Sequence, residues 1–178
     1  MSNSKKIILS GLLLALLIVL SRFVSIKTQI LVISLAFLPI MISAIILGPK
    51  YSCLIAGLGD LIGALLFPFG EYFVGFTITA IFSGLIYGLF LYNKKDGEFF
   101  TGKALIIRLI LSSFLVVIGI NLFIKSFMIH LLYGKAFIAV FTPRVIAELI
   151  NLPIHVAVLY FINPFLVKYY HQFLTDND

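Results

Sequence analysis

The feature that most constrains this chain is repetition: apolar runs recur from one end to the other with almost no charge inside them. A hydrocarbon core of about 30 Å takes about 20 helical residues to cross, and in lipid every backbone N–H and C=O must be satisfied within the protein. Six spans are predicted, at about 7–24, 33–48, 50–67, 71–92, 103–124 and 144–168. The second contains Pro39 and is expected to be kinked or partly interrupted. With 62% of 178 residues hydrophobic and 11% charged, the chain lacks the charges to clothe a soluble domain of its size. The expectation is one all-α membrane domain over residues 1–178, a single compact six-helix bundle. Lys5 and Lys6 ahead of ILSGLLLALLIVL imitate a signal peptide, but the run is long and no small-x-small cleavage site follows it. The single cysteine, Cys53, lies inside a predicted span and excludes an internal disulfide.

An even number of spans puts both termini on one face, and the basic residues suggest that this face is cytoplasmic. It then holds Lys5, Lys6, Lys50, Lys94, Lys95, Lys103, Arg108 and Lys168, eight of the 13 cations. The other five, Arg22, Lys27, Lys125, Lys135 and Arg144, fall on the outer face beside one acid, Glu71. Any one of them is explained by snorkelling to lipid headgroups; the five together suggest equally well a cavity for an anion. Arg144 follows Thr142-Pro143, and proline favours the first turn of a helix, so Arg144 is expected at the outer N-terminus of the sixth span. There the helix dipole and a forked guanidinium would both favour a carboxylate.

Asp60 sits deep in the glycine-rich segment GLGDLIGALLFPFGEYFVGFT, residues 57–77, where a charge costs about 2.5–3.5 kcal/mol. Gly57-Leu58-Gly59-Asp60 reads as the GxGD signature of intramembrane aspartyl proteases, but that chemistry needs a second membrane-embedded aspartate to share the proton. Asp96, Asp176 and Asp178 lie in a loop or the tail, and Glu148 has Arg144 one turn away. Residues 97–103, GEFFTGK, match most of a phosphate-binding loop, yet Ala104 replaces the required Ser or Thr and no strand precedes it. His130, His155 and His171 have no metal-ligand spacing. Nothing in the chain reads as an enzyme. Asp60 is expected to hold the third helix in place, with the turn Phe67–Tyr72 the better candidate for touching a ligand.

Small residues four apart let helices approach closely, and three such pairs occur: Gly11/Ala15, Gly59/Gly63 and Gly84/Gly88. Internal packing is the default for each, and Gly11/Ala15 is the best candidate for an external partner helix. Arg144, Glu148 and Asn151 share a helix face. That row either presents a cation, a carboxylate and an amide to one ligand or forms an ion pair that secures the helix end.

The 57–77 segment, the small-residue first helix, SGLIYG at 83–88 and FTPRV at 141–145 resemble the substrate-binding S components of energy-coupling factor (ECF) vitamin transporters. With Leu20-Ser21-Arg22-Phe23, the likeness is greatest to the folate branch. The resemblance implies six helices with both ends inside, a multi-pass protein of the bacterial cell membrane, and high-affinity vitamin capture on the outer side. It implies docking through helix one, at Gly11 and Ala15, onto a transmembrane T subunit driven by two cytoplasmic ATPases. No cofactor is implied; the cargo would be folate or a reduced folate, with another carboxylate-bearing vitamin such as pantothenate as the alternative. Candidate ligand residues are Arg22, Lys27, Phe67, Phe69, Tyr72, Lys125, Arg144, Glu148 and Asn151. The cations suit the two carboxylates of folate's glutamate tail, the acid and amide suit the pterin edge, and the aromatic residues offer stacking faces.

Overall fold

A computed structural model describes residues 1–27, 32–68, 70–93, 99–170 and 172. Six helices follow one another: α1 Asn3–Arg22, α2 Phe37–Ile46, α3 Pro49–Leu66, α4 Val74–Leu91, α5 Gly102–Tyr133 and α6 Phe137–Tyr169. All but α2 are long and apolar enough to cross a membrane. The one other regular element among the described residues is a small ladder between α1 and α2. There β1, Ile26–Lys27, pairs antiparallel with β2, Val32–Ile33.

Three expectations need correction. The second span is a helix of 10 residues, about 15 Å long and short of a crossing. Pro39 interrupts nothing, because the helix starts at Phe37 and Pro39 sits in the first turn, where no intrahelical partner for its missing N–H is lost. The fifth helix runs on through Lys125 to Tyr133, nine residues beyond the predicted end at 124. The sixth begins at Phe137 rather than near 144, so Arg144 lies two turns inside it and not at its N-terminus. The dipole argument for Arg144 therefore fails. Pro143 is carried within the helix, and the Thr142 hydroxyl beside it donates to the Ile138 carbonyl one turn back at 2.9 Å.

The bundle closes around two kinds of contact. Phe37, Met41, Tyr87, Leu109 and Leu159 from α2, α4, α5 and α6 form a buried apolar core. Helices α3 and α4 approach instead through glycine. A Cβ on Gly88 would stand 2.3 Å from the Pro49 Cα, and one on Gly84 would stand 2.5 Å from the Ser52 carbonyl oxygen. The Ser52 hydroxyl crosses this seam to the Gly84 carbonyl at 2.7 Å. On α1, Leu17 packs over Gly59, whereas nothing lies within 4 Å of where a Cβ on Gly11 would be.

The middle of α5, Leu115–Ile124, is wound as a π-helix. Its register has a local consequence. The Lys125 N–H bonds to the Ile120 carbonyl five residues back, so the Asn121 carbonyl does not receive the donor that an α-helix would give it. That oxygen faces the functional cavity.

Candidate functional site

Helix ends that alternate up and down the bundle bring the C-terminal halves of α1, α3 and α5 together with the N-terminal halves of α2, α4 and α6. Between them lies a cavity of about 750 Å³. Its wall on α6 is the row Arg144, Glu148, Asn151 and His155, whose spacings of four, three and four keep them on one helix face. At 1.5 Å per residue, His155 lies about 16 Å along the axis from Arg144. The cavity thus has a floor near Tyr87, His155 and Phe37, a charged middle, and a mouth near Tyr72, Glu71 and Tyr133.

The middle layer holds most of the charge. The Arg144 Nη2 donates to the Asn121 carbonyl at 2.7 Å, the oxygen spared by the π register. It also stands 3.6 Å from Glu148 Oε1, while Asn151 Nδ2 donates to Glu148 Oε2 at 3.2 Å. The two readings of this row are therefore not exclusive: Arg144 and Glu148 pair with each other and still line the cavity. A buried ion pair anchored to a carbonyl and an amide is held in one geometry, which is what a specific site requires.

Asp60 is tied across to α4. The Thr77 hydroxyl donates to Asp60 Oδ2 at 2.7 Å. Because that uses the only hydroxyl proton of Thr77, the Tyr72 hydroxyl, 3.0 Å away, is the donor in the next bond. Tyr72, Thr77 and Asp60 thus form a directed chain from the mouth inward. Arg22, the last residue of α1, reaches the same place: its Nη2 donates to the Asp60 carbonyl at 3.3 Å. The guanidinium lies across Gly63, where a Cβ would come within 2.6 Å of Nε. Asp60 braces α3 as expected, and it also lines the cavity.

Lys125 lines the cavity from α5 and makes no hydrogen bond or ion pair to any of the described residues. The expectation of a strongly cationic outer face needs correction, since Arg22, Lys125 and Arg144 share the cavity wall with Asp60, Glu71 and Glu148. Arg22 and Arg144 hydrogen-bond to carbonyls, whereas Lys125 feels Asp60 and Glu148 without a hydrogen bond or close ion pair among the described residues. Lys135 lies instead 5.9 Å from the centroid of the Tyr133 ring.

Of the predicted ligand residues, the cavity brings together Arg22, Tyr72, Lys125, Arg144, Glu148 and Asn151. Phe67 is not among its lining residues: it packs edge-on against Phe23, ring centroids 5.0 Å apart, because α3 ends at Leu66 and the chain turns toward α1. Phe69 and the side chain of Lys27 lie outside the described residues. Gly11 and Ala15 sit on an exposed strip of α1, away from the cavity. The floor was missed. Tyr87 and His155 meet there, hydroxyl to Nδ1 at 3.0 Å, and the His155 ring stacks on Phe37 at a centroid distance of 3.7 Å. The signal was present, since His155 continues the row of Arg144, Glu148 and Asn151. No group of three His, Cys, Asp or Glu able to hold a metal occurs among the described residues.

Comparisons with known proteins agree with this architecture. The family model of the ECF-type riboflavin transporter S component matches residues 1–170. A folate transporter FolT of Clostridium novyi (strain NT) is 33% identical over 160 residues, spanning 90% of this chain and 88% of that protein. A folate transporter FolT of Leuconostoc mesenteroides subsp. mesenteroides is 38% identical over 161 residues, spanning 90% and 85%. Among solved structures, a crystal structure of FolT bound with folic acid superposes with a TM-score of 0.82 at 35% identity, covering 93% of this chain and 98% of that one.

Proposed function

The chain belongs to the family of ECF-type riboflavin transporter S components, and from that premise we propose that it is a substrate-capturing membrane subunit whose cargo is folate or a reduced folate. Membership removes the protease reading, as does the site. The Asp60 carboxylate is engaged by Thr77 and that of Glu148 by Arg144 and Asn151, so the two do not share a proton.

The family description names riboflavin, while the two relatives and the solved neighbour are named for folate. Lys125 is the observation that favours folate. Its ammonium makes no hydrogen bond or ion pair among the described residues, and Asp60 and Glu148 act on it only from beyond ion-pair distance, so an anionic ligand in the cavity can engage it directly. Riboflavin is neutral; folate brings two carboxylates. Arg22, whose Nε is enclosed without a partner, offers a second donor toward the mouth. Glu148 and Asn151 suit the donor edge of a pterin ring, and the flat ring has an aromatic floor in Phe37 and His155. In this reading Arg22, Tyr72, Lys125, Arg144, Glu148 and Asn151 contact ligand.

The remainder of the assignment follows the family. In this reading both termini lie in the cytoplasm of a bacterial cell and the cavity opens outward, with α2 and the segments flanking it carrying the chain back across the membrane between α1 and α3. The exposed Gly11/Ala15 strip docks on a transmembrane T subunit, and two cytoplasmic ATPases power delivery. Calorimetry on the detergent-purified protein tests the cargo. Tight folate binding that equimolar riboflavin or pantothenate does not displace supports the assignment; tight riboflavin binding with no heat from folate overturns it.

A further inference from the structure

The floor of the cavity carries a pair that the charge argument does not use. Tyr87 is 1% exposed and His155 5%, and the two meet at 3.0 Å through the tyrosine hydroxyl and the imidazole Nδ1. Both line the cavity. A phenol proton enclosed this completely needs an acceptor; the Ser113 hydroxyl lies beside the phenol as well as the His155 Nδ1, and of the two an unprotonated imidazole nitrogen is the stronger acceptor. A neutral imidazole has only one such nitrogen. If the tyrosine donates to Nδ1, the ring proton must sit on Nε2. Stacking on Phe37, with planes 21° apart, fixes the ring orientation as well.

We propose that Tyr87 is a positioning residue that locks His155 in its Nε2–H tautomer, so that the cavity floor presents one fixed hydrogen-bond donor to the heteroaromatic ring of the cargo. This rests on the folate reading for the identity of the ring, though the tautomer itself does not depend on it. A fixed donor reads an acceptor. It favours a ring that carries a carbonyl or unprotonated nitrogen at its inner end and disfavours one that presents an amino group there, because two donors would then face each other without water to separate them. The charged middle layer would hold the cargo, and the floor would choose among flat rings of similar size.

The test has a spectroscopic arm and a binding arm. In the full-length protein labelled with nitrogen-15 histidine, the His155 signals are assigned by their loss in His155→Gln. The expected spectrum has Nε2 protonated and Nδ1 unprotonated, with Tyr87→Phe yielding the other tautomer or a mixture. Tyr87→Phe should weaken folate binding about tenfold, the effect of one buried hydrogen bond. Glutamine places its amide near the Nε2 position and asparagine near Nδ1. His155→Gln should therefore bind within about threefold of wild type, while His155→Asn loses about tenfold. Wild type should also reject the folate analogue whose ring carbonyl is replaced by an amino group, and His155→Asn should reject it less.

A wild-type His155 protonated on Nδ1 overturns the proposal, as does equal folate affinity in the Gln and Asn variants. If Tyr87→Phe does not fold, the wild-type spectrum and the Gln/Asn comparison still decide. Failure of wild type to bind folate would sink the cargo assignment and leave the tautomer result standing on its own.

Discussion

Two kinds of small-residue strip occur in this molecule, identical in spacing and opposite in fate. Gly59/Gly63 and Gly84/Gly88 are filled: Leu17 and Arg22 lie over the first pair, Ser52 and Pro49 against the second. At Gly11/Ala15 both residues are exposed, and no described atom lies within 4 Å of where a Cβ on Gly11 would be. In lipid, apolar burial does not drive helices together, so close approach and van der Waals contact carry the packing. A filled strip is therefore part of the fold, and an open strip is left for lipid or, in the proposed assembly, for the T subunit. The spacing alone does not separate the two; the occupant does.

The sharpest way to break that contrast is to put the same large side chain on each strip. Gly88→Leu should have the largest effect. Its Cβ would meet the Pro49 Cα at 2.3 Å, a backbone atom that cannot swing aside, so α3 and α4 must separate. The expected outcome is loss of monodisperse protein on size-exclusion chromatography; a well-folded variant of wild-type melting temperature would mean that the seam is slack. Gly11→Leu should do the reverse. With open space around Gly11, folding and folate binding should match wild type, while folate uptake in cells expressing the whole transporter should fall to background. Uptake at the wild-type level would place the docking surface elsewhere.

The cavity sharpens the comparison from the other side, because there the neighbours are polar and the cost is read in affinity. Arg144→Ala removes the bond to the Asn121 carbonyl and the ion pair to Glu148, whose carboxylate keeps its bond from the Asn151 amide. Loss of at least tenfold in folate affinity is expected, since a hydrogen bond to a charged group is worth about 1.5–3 kcal/mol. Unchanged affinity by calorimetry would confine Arg144 to holding α5 against α6.

How much of this was readable in the chain depends on what each residue faces. The bounds of α3 and the last turn of α4 were legible within a residue or so, because lipid and a protein interior both want apolar side chains there. Lys125 and Pro143 misled the reading of α5 and α6. A charge or a proline in an apolar run normally marks where a span meets water, yet here Lys125 faces a polar cavity and the helix runs on through Pro143. Asp60 was legible as a brace, though its partner Thr77 was not, since a threonine in a membrane helix is unremarked by any spacing rule. Phe67 was misplaced because a turn's residue list does not say which way each ring swings. His155 reads from the sequence as a helix-contact residue rather than a ligand, and it does contact Tyr87 of α4 and Phe37 of α2; that it also lines the cavity is signalled only by the row it completes on α6.

The smallest expected effect is the most discriminating, because it falls where a filled strip and the cavity coincide. Gly63 lies under the Arg22 guanidinium, and a Cβ there would stand 2.6 Å from Nε and 3.1 Å from Nη2. These atoms are the far end of a flexible side chain, so Gly63→Ala should fold, with Arg22 displaced by a fraction of an ångström and its 3.3 Å bond to the Asp60 carbonyl weakened. If Arg22 only fastens α1 to α3, the melting temperature should fall slightly and folate affinity should not move. If Arg22 also meets a carboxylate of the cargo, affinity should fall about two- to fivefold, less than a whole charge-assisted hydrogen bond because the guanidinium can still reach. Arg22→Ala calibrates the scale: once the arginine is gone, adding Gly63→Ala should cost nothing further in affinity, as expected for two changes acting through one side chain. Independent, additive losses in the double variant would show that Gly63 serves the site by some route other than the arginine lying across it.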